Sequence, residues 1–190
     1  MVSQHVVVAI TGASGSIYGI KVLQYLKEIK SVETHLVITA SAKSTISIET
    51  DYSTLEIEAL ADHVHGSRDI GASIASGSFK THGMIVAPCS IKSLSAIANS
   101  FGADLVSRAA DVTLKERRPL ILMVRETPFH LGHLRLMVKA TEMGAIIYPP
   151  IPAFYNKPVS IDDLVDHSAG RAIEHLGFNV SSLKRWDGRE

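Results

Sequence analysis

A three-layer α/β fold, with a parallel sheet covered by helices on both faces, follows from three observations on this 190-residue chain. Short apolar runs at residues 6–10, 84–88 and 119–124 are too short for helices of their own and read as strands buried on both faces. Each is followed by a stretch whose apolar residues recur at helical spacing, as Tyr18, Val22, Leu26 and Ile29 do after the first run. The first strand passes to its helix through a turn of small residues, 11–15 (TGASG), which makes the opening half of a Rossmann-like, flavodoxin-like βαβ unit.

Composition narrows the function classes. One domain over 1–190 is expected at this length. Nineteen basic residues balance nineteen acidic ones, so the net charge gives no support for nucleic acid or an anionic membrane as a partner. A single cysteine, Cys89, allows no intrachain disulfide and suits a reducing compartment. No apolar run approaches the roughly 18 residues needed to span a bilayer. The N-terminus shows no basic segment followed by an apolar one, and a cytoplasmic protein is expected.

In chain order, 33–39 reads as the second strand and 40–49 as its helix. Residues 51–82 are the least regular part. They hold a short helix near 55–61 and a Gly- and Ser-rich run at 66–78, read as a loop lying over a site; the plainer alternative is a surface excursion with a short edge strand. After the strand at 84–88, Ser90 is placed to cap a helix over 91–99. Residues 105–117 follow as a helix with Arg108 and Lys115 on one face, where Asp104/Arg108 and Asp111/Lys115 form i,i+4 pairs. The strand at 119–124 delivers Arg125 and Glu126 at its carboxyl end. A helix over 131–143 and a short strand at 145–148 come next. Pro149, Pro150 and Pro152 then interrupt regular structure before Phe154 and Tyr155. Ser160 caps a last helix whose inner face is expected to carry Ile161, Leu164, Val165, Ala169, Ile173 and Leu176, and 178–190 reads as an interface or docking tail.

Open α/β sheets bind ligands beyond the carboxyl ends of their strands. That rule gathers Gly12, Ala13 and Ser14, then Thr39 to Ser41, then Ser90 to Ser93, and finally Arg125 and Glu126. The backbone N–H groups of the 12–15 turn suit a phosphate, because a helix start leaves them unpaired and favours negative charge. The second strand ends in Thr39, Ala40 and Ser41 with no carboxylate for ribose hydroxyls, and no Tyr-x-x-x-Lys pair occurs, so NAD is disfavoured. The small hydroxyl-bearing ends fit a mononucleotide such as a flavin, with a second anionic group near Arg125. The pairs His63/His65 and His130/His133 lack helical metal-site spacing and an acidic cluster, and no metal is expected. Cys89 has no nearby base and reads as a small buried residue rather than a nucleophile.

The segments 11–19 (TGASGSIYG), 49–51 (ETD), 75–78 (ASGS), 88–90 (PCS), 108–120 (RAADVTLKERRPL), 125–128 (RETP), the P-x-x-A-F-Y run at 150–155, and Arg171 occur together and in order. In this the chain resembles the UbiX/Pad family of flavin prenyltransferases over nearly its full length. The resemblance implies transfer of a dimethylallyl group from dimethylallyl phosphate to N5 and C6 of reduced FMN, without metal. The prenylated flavin would serve a UbiD-type decarboxylase, whose own substrate (a ubiquinone precursor or a phenolic acid) stays open. It further implies that Gly12, Ala13, Ser14, Thr39, Ser90, Ile91, Lys92, Ser93 and Arg125 hold FMN, Ser93 standing where Thr is common. Tyr155 and Arg171 would hold the prenyl phosphate, with Arg108 and Lys115 adding charge from the same chain or a neighbouring one. Glu126 is the first choice of acid/base, with Ser14 as relay and Glu49 as the second acid/base. The family's dodecamers imply a homo-oligomer. A flavin-dependent cysteine decarboxylase is the alternative, but its Pro-Ala-Ser-Ala-Asn-Thr segment and Met-Asn pair are both missing.

Overall fold

The computed structural model describes residues 3–183, 185 and 188. Its centre is a parallel sheet built from β1 (Gln4–Ile10), β2 (Val32–Ile38), β3 (His63–His65), β4 (Gly83–Cys89), β5 (Leu120–Val124) and β6 (Ile146–Ile147), in the order β3-β2-β1-β4-β5-β6. Without the three-residue edge strand β3, the order is that of flavodoxin-like sheets, and the order reverses between β1 and β4. Side chains alternate between two cores, as strand geometry requires. Val6, Val8 and Ile10 point to one face, against α1 (Ser16–Glu28), α2 (Ala40–Glu49) and α7 (Ile161–Glu174). Val7 and Ala9 point to the other, against α4 (Ile91–Ala98), α5 (Leu105–Lys115) and α6 (Leu131–Glu142). Both cores are drawn from the same strands, so neither layer can loosen alone.

Local chemistry fixes the ends of the elements. Gly15 stands at φ 97°, the left-handed region where a side chain is strained, and starts α1. Gly19 brings α1 against β4 at an irregularity in the β4–β5 pairing; a Cβ there would collide with the Ala87 carbonyl and lie 2.8 Å from Ile10 Cγ1. Thr39, Ser90, Asp104 and Ser160 cap α2, α4, α5 and α7, as Ser53 does the short α3 (Thr54–Glu58). Arg117 adopts φ 58° just after α5, which ends the helix at Lys115, before the expected 117.

Three expectations need correction. Ile161 is 79% exposed and belongs to the outer first turn of α7, beside Asp162 and Asp163; Val165, Ala169, Ile173 and Leu176 do face the core. The i,i+4 ion pairs on α5 do not form. Asp104 spends its carboxylate on the Ser107 N–H and hydroxyl, Arg108 turns to Asp111, and Lys115 pairs with Glu116. The edge strand set aside as the plainer alternative is present as β3, and the loop follows it. Of the tail 178–190, Lys184, Trp186, Asp187, Arg189 and Glu190 lie outside the described residues. Phe178, Val180 and Leu183 pack into their own chain's core, with the Leu183 methyls filling the space that Gly170 leaves open.

Candidate active site

The carboxyl ends of the strands converge as expected, and hydrogen bonds lock them together. The Thr11 hydroxyl donates to the Pro88 carbonyl at 2.7 Å and accepts from the Ser90 N–H at 2.8 Å, tying the end of β1 to the end of β4. Arg125 N–H donates to the Cys89 carbonyl at 3.1 Å, which adds the end of β5. The sheet therefore sets the spacing of Gly12–Ser14, Ser90–Ser93 and Arg125–Glu126 before any ligand arrives.

Beside these ends lies a cleft of about 880 Å³. Thr39 and Ser41 line it from the start of α2, Ser90, Lys92 and Ser93 from the first turn of α4, and Ser67 and Arg68 from the loop after β3. Asn99, Phe101 and Asp104 close its outer side. The first turn of α4 is already ordered: the Ser90 hydroxyl accepts from the Ser93 N–H and donates to the Ser93 hydroxyl at 3.1 Å. Gly12 sits against this wall, and a Cβ on it would come within 2.5 Å of Ser41 Cβ. Of the 66–78 loop, Ser67 and Arg68 line this cleft.

The 12–15 turn behaves differently from the expected phosphate cradle. Its Gly15 and Ser16 N–H groups donate to one carboxylate oxygen of Glu49, at 2.8 and 3.3 Å. Glu49 thus supplies the negative charge that the start of α1 attracts. Ala13 and Ser14, half-buried, lie on the same turn. Tyr18, one turn into α1, has its phenol pKa raised by burial, and the Arg125 guanidinium opposes that shift. Arg125 therefore acts on the mouth of the 12–18 segment. Glu126, half-buried, accepts from the N–H of Thr127 at 3.0 Å.

The remaining sequence-selected residues stand apart from the cleft lining. Tyr155 hydroxyl and His167 Nε2 are 2.8 Å apart, next to Arg171, which pairs with Glu174. His167 is kept below the usual imidazole pKa by burial and by Arg171. Arg108 Nε donates to the Ala75 carbonyl at 3.2 Å, and Lys115 lies by Gly77. Both are on α5, against the 75–78 segment. Within one chain the structure thus forms the cleft and a separate Tyr155–Arg171 group, with Arg108 and Lys115 in a third place. Cys89 is fully buried and its thiol is pushed up to about 12, which suits packing and not nucleophilic attack.

The model of the family described as Flavoprotein matches residues 1–172. Flavin prenyltransferase UbiX of Thauera aromatica is 56% identical over 185 residues, covering 97% of this chain and 95% of that protein. This chain belongs to the UbiX flavin prenyltransferase family. Among solved structures, AnUbiX (PadA1) in complex with FMN and dimethylallyl pyrophosphate superposes with TM-score 0.97 at 50% identity, covering 99% of this chain and all of that one. A dodecameric FMN-dependent Ubix-like decarboxylase from Escherichia coli O157:H7 gives TM-score 0.95 at 46% identity, over 97% of this chain and all of that one. The FMN-dependent cysteine decarboxylase TvaF, at 16% identity and TM-score 0.60, shares the fold alone.

Several residues of the cleft and its surroundings escaped the sequence reading. Ser67, Arg68, Asn99 and Phe101 line the cleft from loops, where no periodicity marks them. Arg118 lies inside the 108–120 segment, where the sequence assigned it no role. It donates to the carbonyls of Phe79 and Gly77, both at 2.9 Å, and to Thr81, so it staples the 77–81 segment to the end of α5. Its signal was faint: one arginine of two before a proline, directly ahead of a buried strand.

Proposed function

We propose that this chain is a flavin prenyltransferase, joining a dimethylallyl group from dimethylallyl phosphate to N5 and C6 of reduced FMN. The observation that carries the proposal is the cleft at the β1–β4 switch point, in a chain of this family. It has room for a mononucleotide, hydroxyls from Thr39, Ser41, Ser90 and Ser93 in its wall, and Lys92 at the first turn of α4. Those groups suit a phosphate and a ribityl chain, and Gly12–Ser14 and Arg125 are assigned to the flavin ring. Bound there, reduced FMN supplies the nucleophilic N5 and C6.

The chain's own residues would do the rest. Loss of phosphate from an allylic carbon builds negative charge on the departing oxygens. Fixed cations lower that barrier without reorganising, and Arg171, Arg108 and Lys115 are assigned that task, with Tyr155 as a hydroxyl donor. Ring closure needs one proton delivered to the prenyl double bond and one removed from C6. Glu126 is assigned the acid/base role, with Ser14 relaying and Glu49 as the second carboxylate. Among the described residues no group of three or more His, Cys, Asp or Glu is arranged to hold a metal, and the proposal gives the charge-stabilising task to Arg and Lys instead. Because the phosphate-binding residues are dispersed within one chain, the proposal includes a homo-oligomer, a dodecamer, that brings them together. An apolar row on α6, Leu131, Leu134 and Val138, is exposed and available for such contacts. The product would pass to a UbiD-type decarboxylase in the cytoplasm.

The test is mass spectrometry of the flavin after incubation with dimethylallyl phosphate and a reductant under anaerobic conditions. A covalent prenyl adduct is expected, with and without EDTA. Unmodified FMN, or decarboxylation of a cysteine peptide in its place, would reject the proposal.

A further inference from the structure

We propose that Arg68 is a second cation for the FMN phosphate, and that together with Lys92 it makes the cleft prefer FMN to riboflavin. The inference rests on the cleft holding FMN as proposed above. It begins with which lining groups are already engaged. Asn99 donates to the Ser95 carbonyl at 2.8 Å and accepts from Lys139 Nζ at 2.8 Å. Asp104 caps α5 through Ser107. Thr39 accepts from the Ala42 N–H, and Ser90 and Ser93 are bonded to each other. That leaves two charged side chains in the lining, Lys92 and Arg68, neither of which has an ion-pair partner among the described residues.

They come from two different elements of the fold. Lys92 rides on the first turn of α4, where the helix start also favours an anion. Arg68 comes from the loop after β3, and that loop is tied down at several points. The Leu105 N–H, at the start of α5, donates to the Ser67 carbonyl at 2.9 Å. Asp69 N–H donates to Gly66 O at 2.9 Å, and Ile70 N–H to Arg68 O at 3.0 Å. Gly71 N–H donates to an Asp69 carboxylate oxygen at 3.2 Å. The backbone on both sides of Arg68 is therefore fixed while its guanidinium is uncommitted. A phosphate monoester carries close to two negative charges near neutral pH. One lysine leaves that charge half balanced, and a guanidinium adds planar, two-pronged donation to phosphate oxygens. Riboflavin lacks the phosphate and gains nothing from either cation.

The experiment is titration of the full-length protein with FMN and with riboflavin, following flavin fluorescence, for wild type, Arg68→Ala, Arg68→Lys and Lys92→Ala at two salt concentrations. Arg68→Ala should weaken FMN about tenfold, the scale of one hydrogen bond to a charged group. It should leave riboflavin unchanged and flatten the salt dependence, with Arg68→Lys in between. The proposal falls if Arg68→Ala leaves FMN affinity unchanged while Lys92→Ala weakens it, an outcome that keeps the cleft as the phosphate site. It also falls if FMN and riboflavin weaken in parallel. If neither Lys92→Ala nor Arg68→Ala changes FMN affinity, or if wild type binds riboflavin as tightly as FMN, the cleft is not the phosphate site and both readings are overturned.

Discussion

Glu126 and Gly19 show how much single positions carry. Glu126 leaves a fully buried strand directly beside Arg125, and replacing it by Gln keeps shape while removing proton transfer. Glu126→Gln should lower the single-turnover rate of prenylation by about 10²–10⁴ with little change in FMN affinity. Stopped-flow absorbance at saturating prenyl phosphate reads the rate; a wild-type rate would leave Glu49 as the acid/base. Glu49, however, is also the carboxylate that holds the Gly15 and Ser16 N–H groups, so its removal would loosen the 12–15 turn as well. Gly19 is a packing position instead. Gly19→Ala would push a methyl into the Ala87 carbonyl and Ile10, and overpacking of that kind typically costs 1–3 kcal/mol. Urea unfolding should show a lower midpoint at unchanged slope. The motif 11–19 told us where both the turn and Gly19 lie. It could not tell that Glu49, more than 30 residues on, reaches the turn, because a carboxylate on a distant helix leaves no local pattern.

At the scale of elements, β1, β4 and β5 were legible from apolar runs, since both of their faces are covered and nothing charged interrupts 6–10, 83–89 or 120–124. The edge strand β3 was not, because a three-residue strand with exposed His63 and Val64 carries no strand signal. What holds it is tertiary. His35, 4% exposed on β2, is hydrogen-bonded through one ring nitrogen to His65 at 3.0 Å and through the other to His5 at 3.1 Å, and it stacks on His63. Phe79 packs on the same rings, and Glu33 lies 3.5 Å from both His5 and His63. Burial, then the neighbouring imidazoles of His63, His65 and His5, pull the His35 pKa down to about 4, against the opposing charge of Glu33. His65 is lowered too, by burial and His63, with Asp69 opposing. Neutral rings can alternate donor and acceptor along this chain; a protonated His35 donates from both nitrogens and places a charge in a buried position among three other imidazoles. The folded pKa lies below the ordinary 6.5, so the stabilisation is present above pH 6.5 and is lost as pH falls towards 4. Hydrogen-exchange protection of 63–65 and of the following 66–68 loop, corrected for the intrinsic pH dependence of exchange, should fall across that window while β1 and β4 stay protected. His35→Gln should make that protection much less dependent on pH; a fall unchanged in that variant would mean that another group titrates.

For the whole molecule, the strand-end rule gathers Gly12–Ser14, Thr39–Ser41, Ser90–Ser93 and Arg125–Glu126, while Tyr155, Arg171, Arg108 and Lys115 enter through the family resemblance, and a single chain does not bring the two sets together. The cleft takes Thr39, Ser90, Lys92 and Ser93, while Lys115 lies on α5 by Gly77, paired with Glu116. Helical spacing could put Arg108 and Lys115 on one face but could not say which molecule that face serves. If a neighbouring copy supplies Lys115 to a site whose Glu126 belongs to this chain, then two inactive variants should complement each other. Glu126→Gln disables the site in its own chain, and Lys115→Ala disables the site it is lent to. Oligomers formed by co-expressing both variants contain interfaces at which an intact Glu126 meets an intact Lys115, about a quarter of all sites if mixing is random. Prenylation activity should return to roughly that fraction of wild type, above the sum of the two variants alone. Neither variant removes a core contact, so thermal melts should match wild type and show that any loss is local. Activity no greater than the two separate variants, in oligomers shown by native mass spectrometry to be mixed, would place Glu126 and Lys115 in the same subunit's site. The prenyl phosphate cations would then have to converge by movement of α5 within one chain.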